Sequence, residues 1–269
     1  MKKLLPFLLG VIFFVGCKPK SDTPAPIDPL VALQEKAEAI AAQQVPIKAT
    51  EVPQSRIKST IITFLSGQQT GVMKYDLKYN DKNQLVSILK DSELIWNLDL
   101  VDKQATLSYS GLTRNYTLNS DGRGEKATET YEAKFKDIQY IYKNGYWVSA
   151  YGTDGTLTTR VYSHEGDLLQ VQVVDQYGQV KHDARYQYTD IPNAIRQEVD
   201  RWEAPHFAFR SDILGRYSQH LLKEAVVNGT HTLTFDYKMD NKNRVGNVTI
   251  TRTQGSFQLP KVFYSYLYE

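Results

Sequence analysis

One cysteine, Cys17, is all that 269 residues contain. No internal disulfide can form, so the domain must hold itself together by burial. Histidine is scarce as well. His164, His182, His206, His220 and His231 are scattered and form no H-x-x-x-H pair, so their spacing points to no metal site. The G-x-S-x-G, Walker and dinucleotide fingerprints are absent, and Leu214-Gly215-Arg216-Tyr217-Ser218 is no nucleophile elbow because no strand precedes it. The runs at Asp81 and Asp240 look superficially like calcium loops. They lack a third acid, the central Gly and the closing Glu, and read as hairpin turns. No catalytic group, cofactor site or metal site is assignable from these patterns.

Charge of one sign is also missing: 32 Lys and Arg stand against 30 Asp and Glu. No basic stripe argues for nucleic acid. The only sizeable apolar run, residues 4–15, is too short to span a bilayer as a stable helix. With Lys2 and Lys3 before it, it reads as a secretory leader ending Phe14-Val15-Gly16-Cys17. An ordinary leader with a chance Cys is the competing reading. The placing of the only Cys favours a lipobox, with Cys17 lipidated as the new N-terminus. Lys18 follows it rather than an Asp, which favours the outer membrane. Whether the chain faces the periplasm or the outside is left open.

What the sequence does have is Tyr, 18 against 10 Phe, in alternating segments that suit half-exposed sheet faces. In residues 75–88, Leu77 and Tyr79 alternate with Asp76 and Lys78. Asn80 to Asn83 then supply turn chemistry, and Leu85, Val86 and Ile88 resume a strand. The unit recurs at 116–124, 151–157, 161–171, 173–180 and 233–245. Asn144-Gly145, between Tyr140-Ile141-Tyr142 and Tyr146-Trp147-Val148, predicts a two-residue primed turn with positive φ at both residues.

The boundaries follow. Residues 1–16 read as the lipoprotein signal peptide and 17–45 as a lipid-anchored tether plus a short helix. Pro19, Pro24, Pro26 and Pro29 mark the tether, and Leu30, Leu33, Ala37, Ile40 and Ala41 recur at helical spacing. Residues 46–269 form the hairpin-repeat domain, interrupted by an insert at 190–227. Helical pieces are predicted at 194–202 and 212–224, the latter placing Ile213, Tyr217 and Leu221 on one stripe. Trp202, Phe207, Phe209 and Leu214 are expected to be buried against the sheet, with Tyr140, Tyr142 and Trp147 as partners. A capping role is preferred for this aromatic insert over a binding site.

The recurring Tyr-x-Tyr, Asp/Asn turn and Leu/Val pattern resembles the YD-type hairpin repeats of bacterial cell-surface proteins. Tyr186-x-Tyr188-x-Asp190-x-x-Asn193, then Leu214-Gly215-x-x-Ser218, a hairpin at 235–250 and a terminal Tyr-x-Tyr strand is a more specific order. It resembles the DUF4595-like Bacteroidetes lipoproteins of unknown function, over roughly residues 57–269. The resemblance implies an address and a fold, and no activity.

The expected fold is all-β: a long twisted antiparallel meander of hairpin repeats, curved into an open or half-closed barrel, with the short helical insert and the N-terminal helix. A transmembrane β-barrel is the alternative. Charges on the strands (Lys74, Asp76, Lys78) and the lipobox count against it. The expected function is a non-enzymatic outer-membrane lipoprotein, held to the membrane by its anchor and binding a glycan, lipid or protein. The alternative is an envelope hydrolase of polysaccharide or a related polymer. A pocket with converging polar groups would favour the hydrolase, and a shallow aromatic groove would favour the binder.

Overall fold

The computed structural model describes residues 28–48, 52–66, 69–109, 111–198 and 212–269. It begins with helix α1 (Pro29–Gln43), where Asp28 caps the first turn by accepting from Leu30 N–H at 2.9 Å and Pro29 needs no donor. Sixteen strands follow: β1 (Ile57–Ser66), β2 (Gln69–Tyr79), β3 (Leu85–Lys90), β4 (Glu93–Val101), β5 (Gln104–Tyr109) and β6 (Leu112–Leu118). The middle of the chain gives β7 (Gly124–Tyr131), β8 (Lys134–Lys143), β9 (Tyr146–Gly152), β10 (Leu157–Tyr162), β11 (Leu168–Val174) and β12 (Val180–Pro192). After one 3-10 turn (Asp212–Leu214) come β13 (His220–Val227), β14 (His231–Met239), β15 (Val245–Gln254) and β16 (Phe257–Tyr268).

Each strand pairs antiparallel with its neighbours in sequence, and β1 pairs with β16, so the barrel is closed rather than open or half-closed. Closure is matched in side chains. Ile62 lies opposite Tyr264, Thr60 opposite Tyr266 and Ile57 opposite Tyr268, so the two terminal strands bring matching inward rows to one ladder. Inward positions from the strands join one core, in which Trp96, Tyr146, Tyr162, Tyr264, Ile62 and Ile88 are no more than 2% exposed. Porins of sixteen strands enclose a water channel. Here apolar and tyrosine side chains fill the interior instead.

The repeating turn is a five-residue device. Asn80, Asn119, Asp175 and Asp240 each accept, through Oδ1, the backbone N–H groups two and four residues on, at 2.8–3.0 Å. The residue three places on takes a positive φ (Asn83, Gly122, Gly178 and Asn243). These are therefore turns built on a side chain. Asn144 and Gly145 have φ of 49° and 84°, as the Asn-Gly dipeptide predicts.

The insert differs from the expectation. No helix occupies 212–224; after the 3-10 turn the chain is irregular until β13 begins at His220, and 194–198 is not helical either. His220, Leu222, Glu224 and Ala225 are ladder partners of β12, and pairing outweighs the weaker 3.6-residue stripe. Leu214 and Ile213 are buried as expected, and Tyr142 Oη lies 3.5 Å from the Ile213 carbonyl. Trp202, His206, Phe207 and Phe209 lie outside the described residues, as does Cys17.

α1 lies on the outer wall, over β8, β9 and β10, where Ala37, Leu33 and Ile40 meet Tyr151, Leu157 and Ile141. β9 and β10 share only three ladder pairs, Leu157–Tyr151, Thr158–Ala150 and Thr159–Ser149. Beyond them the Gln44 side chain takes the place of a strand: its Nε2 donates to the Arg160 carbonyl (2.8 Å), and its Oε1 accepts from Tyr162 N–H (3.2 Å). Ile47 follows, 2% exposed, held by Asn144 Nδ2 donating to its carbonyl at 2.7 Å.

Candidate binding site at the barrel mouth

An up-and-down barrel has two ends. One, the mouth, gathers the start of β1, the end of β16 and the turns β2–β3, β4–β5, β6–β7, β8–β9, β10–β11 and β14–β15, with the insert between β12 and β13. A cavity of about 560 Å³ opens there. Lys82 and Gln84 reach it from β2–β3, Asp102 from β4–β5, Asp121 and Arg123 from β6–β7, and Arg196, Arg216 and Tyr217 from the insert. Leu100, Leu118, Ile213 and Val52 supply its apolar wall.

The insert is pinned from within. Asn193, 2% exposed, donates through Nδ2 to the Gln197 carbonyl (2.9 Å) and the Ser218 carbonyl (3.0 Å), and its Oδ1 accepts from Gln197 N–H (2.7 Å). The Ser218 hydroxyl accepts from Leu168 N–H and shares a 2.9 Å hydrogen bond with the Tyr188 hydroxyl. Tyr188, Asn193 and Ser218, which carry the family resemblance, thus meet in space as one clamp. Burial pushes the Tyr188 phenol well above its ordinary range, so it stays protonated.

Gly215 shows why the second motif needs glycine: its φ is +94° and a Cβ would lie 2.5 Å from the Gly145 carbonyl oxygen. Close approach lets Arg216 N–H donate to that carbonyl at 2.8 Å and lets Gly215 bridge Tyr146. Two guanidinium groups then converge. A Cβ on Gly145 would stand 2.8 Å from Arg123 Nη2 and 2.8 Å from Arg216 Nε. Arg123 pairs with the exposed Asp121 carboxylate at 2.7 Å, and Arg196 lies 5.6 Å from the centre of the Tyr217 ring. Beneath them, the Tyr146 phenol is pushed up to about 12 by burial, an effect reduced by Arg216 and by the 2.8 Å hydrogen bond from Gln219.

The cavity wall is therefore cationic at four points, Lys82, Arg123, Arg196 and Arg216, and rich in hydrogen-bonding groups. Sequence reasoning missed Arg123, Arg196, Arg216, Lys82, Asp102 and Asp121 as a group, because they come from five separate segments. The histidines take other places. His164 Nδ1 is 2.6 Å from the Pro46 carbonyl and His220 Nδ1 is 2.8 Å from Asp167 Oδ2, and among the described residues no three potential metal ligands cluster.

The outer wall bears on what surrounds the barrel. Lys74, Asp76 and Lys78 on β2, Asn97 and Asp99 on β4, Thr113 and Asn115 on β6, Asp236 and Lys238 on β14 and Thr249 and Thr251 on β15 alternate with the inward core rows. A lipid-facing barrel needs a continuous apolar band at this height. The described strands carry these polar side chains there, with Ile61, Val72, Val161, Leu169 and Phe263 exposed among them.

Two crystallised proteins are among the solved structures to which the chain is similar. One is a porin-like protein from Bacteroides uniformis ATCC 8492, with a TM-score of 0.61 and 17% identity over 82% of this chain and 100% of that one. The other is a porin-like protein from Bacteroides vulgatus ATCC 8482, with a TM-score of 0.51 and 13% identity over 80% of this chain and 99% of that one. The sequence matches no family model and no curated protein. What the likeness establishes is the architecture: this chain shares an antiparallel β-barrel fold with porin-like proteins of Bacteroides.

Proposed function

We propose that the protein is a lipid-anchored binding module of the outer membrane that captures an acidic saccharide at the barrel mouth. One observation carries the ligand class: Arg123, Arg196 and Arg216 converge on a cavity whose other polar lining, Asp102, Asp121, Gln84 and Lys82, suits hydroxyl groups. The volume falls in the usual range for small-ligand sites. A carboxylate on the ligand would take the guanidinium fork bidentately, and Tyr217 offers a ring face for a sugar. Inorganic phosphate alone would leave Asp102 and Asp121 as like-charged neighbours. Membrane attachment rests on Cys17 in its lipobox, supported by an outer wall suited to water. Cys17→Ser should therefore release the protein into the soluble periplasmic fraction.

The test of the ligand is calorimetry with a galacturonic acid trisaccharide against maltotriose. Selective binding of the acidic sugar, weakened by salt, is expected. Arg196→Gln or Arg216→Gln should each cost about 1.5–3 kcal/mol, the value of a hydrogen bond to a charged group. Equal binding of both sugars, or none, refutes the reading.

A second reading, a hydrolase, is favoured by the two carboxylates, Asp102 and Asp121, on the same wall. Asp121 is already ion-paired with Arg123, so that guanidinium occupies the carboxylate a hydrolase would need free. Release of reducing ends in the same titration, abolished by Asp102→Asn or Asp121→Asn, would select the hydrolase.

A further inference from the structure

We infer that the end of the barrel opposite the mouth rests on the bilayer surface, so that the arginine-lined cavity points away from the membrane. The inference rests on the lipoprotein reading of Cys17 and adds an orientation to it.

The first observation is the distribution of exposed aromatics. Among the described residues, six aromatic side chains are exposed, and five lie at hairpin ends on the rim opposite the mouth. Tyr109 ends β5, Tyr131 ends β7, Phe135 is the second residue of β8, Tyr177 sits in the β11–β12 turn and Phe257 opens β16. Phe135, Tyr177 and Phe257 are 73%, 78% and 74% exposed, and Leu94 adds an aliphatic tip at 57%. Single exposed apolar residues are ordinary on a protein surface. Five exposed aromatics at the tips of one end are not, even with Val45, Val101 and Leu267 exposed at the mouth, and Tyr and Phe at tips suit the headgroup level of a bilayer.

The second observation is where the tether leaves. α1 runs down the outer wall from rim to mouth. Its first turn, Leu30, Val31 and Gln34, lies beside Asp137, Gln139, Tyr151 and Thr153 near the rim. Its last residues receive Lys143 Nζ beside the β8–β9 turn at the mouth. The chain towards Cys17 therefore departs from the aromatic end. Eleven residues separate Cys17 from Pro29, three of them proline. At about 3.1 Å per residue for an extended Pro-rich segment, the tether reaches roughly 35 Å. A ten-residue strand such as β8 is itself about 33 Å long. With the rim down, the tether needs almost none of its reach; with the mouth down, it must run back along the whole barrel. Rim charges are mixed, Lys134 and Lys90 beside Glu132, Asp91 and Glu93, so the contact is through rings and not through anionic lipid.

The test uses the full lipidated protein in vesicles of phosphatidylethanolamine and phosphatidylglycerol containing brominated lipid. A fluorophore is placed at Lys134→Cys on the rim or Lys82→Cys at the mouth. Quenching at the rim and none at the mouth is expected. The variant Phe135→Ser, Tyr177→Ser and Phe257→Ser should bring the rim signal down to the mouth level while the protein still floats with the vesicles. Flotation without rim quenching, or with equal quenching at both ends, overturns the orientation alone. So does loss of a dimer, seen by sedimentation, in the triple variant, because the rim would then pair two copies. Failure to float at all defeats the anchor reading, and this inference with it.

Discussion

Replacing Gln44 by Ala tests the account of how the barrel closes between β9 and β10. The Gln44 side chain is 8% exposed and serves two backbone groups that the short ladder leaves over, the Arg160 carbonyl and the Tyr162 N–H. Ala removes both partners at once. Each orphaned buried group costs about 1–3 kcal/mol, so the loss should be about 2–6 kcal/mol. Whole-domain stabilities run to roughly 5–15 kcal/mol, so this one side chain matters. For a chain of this size each kcal/mol shifts Tm by about 2–4 °C, which predicts a fall of roughly 4–24 °C. Gln44→Glu is the sharper control. Its carboxylate still accepts from Tyr162 N–H but has no proton for the Arg160 carbonyl, and it brings a charge into a buried place, so it should be no milder than Ala. Differential scanning calorimetry gives Tm, and amide exchange reports Tyr162 directly. An unmoved Tm with a still-protected Tyr162 amide would refute the idea that a side chain stands in for a strand.

Gly145→Val should cost about 1 kcal/mol or more in urea unfolding, since φ is +84° and Val is β-branched. It should also weaken acidic-sugar binding, because its Cβ meets Arg123 and Arg216. Glu198→Ala leaves the Arg160 guanidinium, now 2.7 Å from Glu198 and 4.3 Å from the Trp147 ring centre, without this buried carboxylate. A loss of about 3–5 kcal/mol is expected in the same assay. Asp240 has its carboxyl held below the usual range, first by the Arg244 backbone N–H and then by the Arg244 side chain. A lowered folded-state value stabilises the fold above the ordinary carboxylate range, and that share is lost as pH falls through the folded value, below about pH 4. Asp240→Asn keeps the turn acceptor but cannot titrate, so its stability should fall less steeply on the acid limb of a urea–pH series.

The hairpins were legible because their signals are local. Asn-Gly at 144–145, and Asn or Asp five-residue turns at 80, 119, 175 and 240, announce themselves within a few residues. Alternation around Tyr75 and Leu77 gave the inward row. Closure was not legible, because Ile62 and Tyr264 are 202 positions apart and nothing local tells one end of a meander that the other fits it. The helix expected at 212–224 failed for a related reason: Leu221 fits a helical stripe while its neighbour Leu222 fits a strand ladder, and only β12 beside them decides. At the mouth, Tyr188, Asn193 and Ser218 were visible as a motif without a purpose. The arginines carried no motif, since a cavity assembled from five segments has no spacing of its own.

The pairing of β1 with β16 also sets a condition on synthesis. Until residues 257–268 are available, the sheet has two open edges, and β1 displays a row of unpaired backbone groups able to template a neighbour. The last ladder joins the most distant strands of the domain, so its loop-closure entropy makes folding slow and leaves it unfinished until late. The nascent chain therefore stays an open sheet, and becomes a closed cylinder only once its final strand has been made.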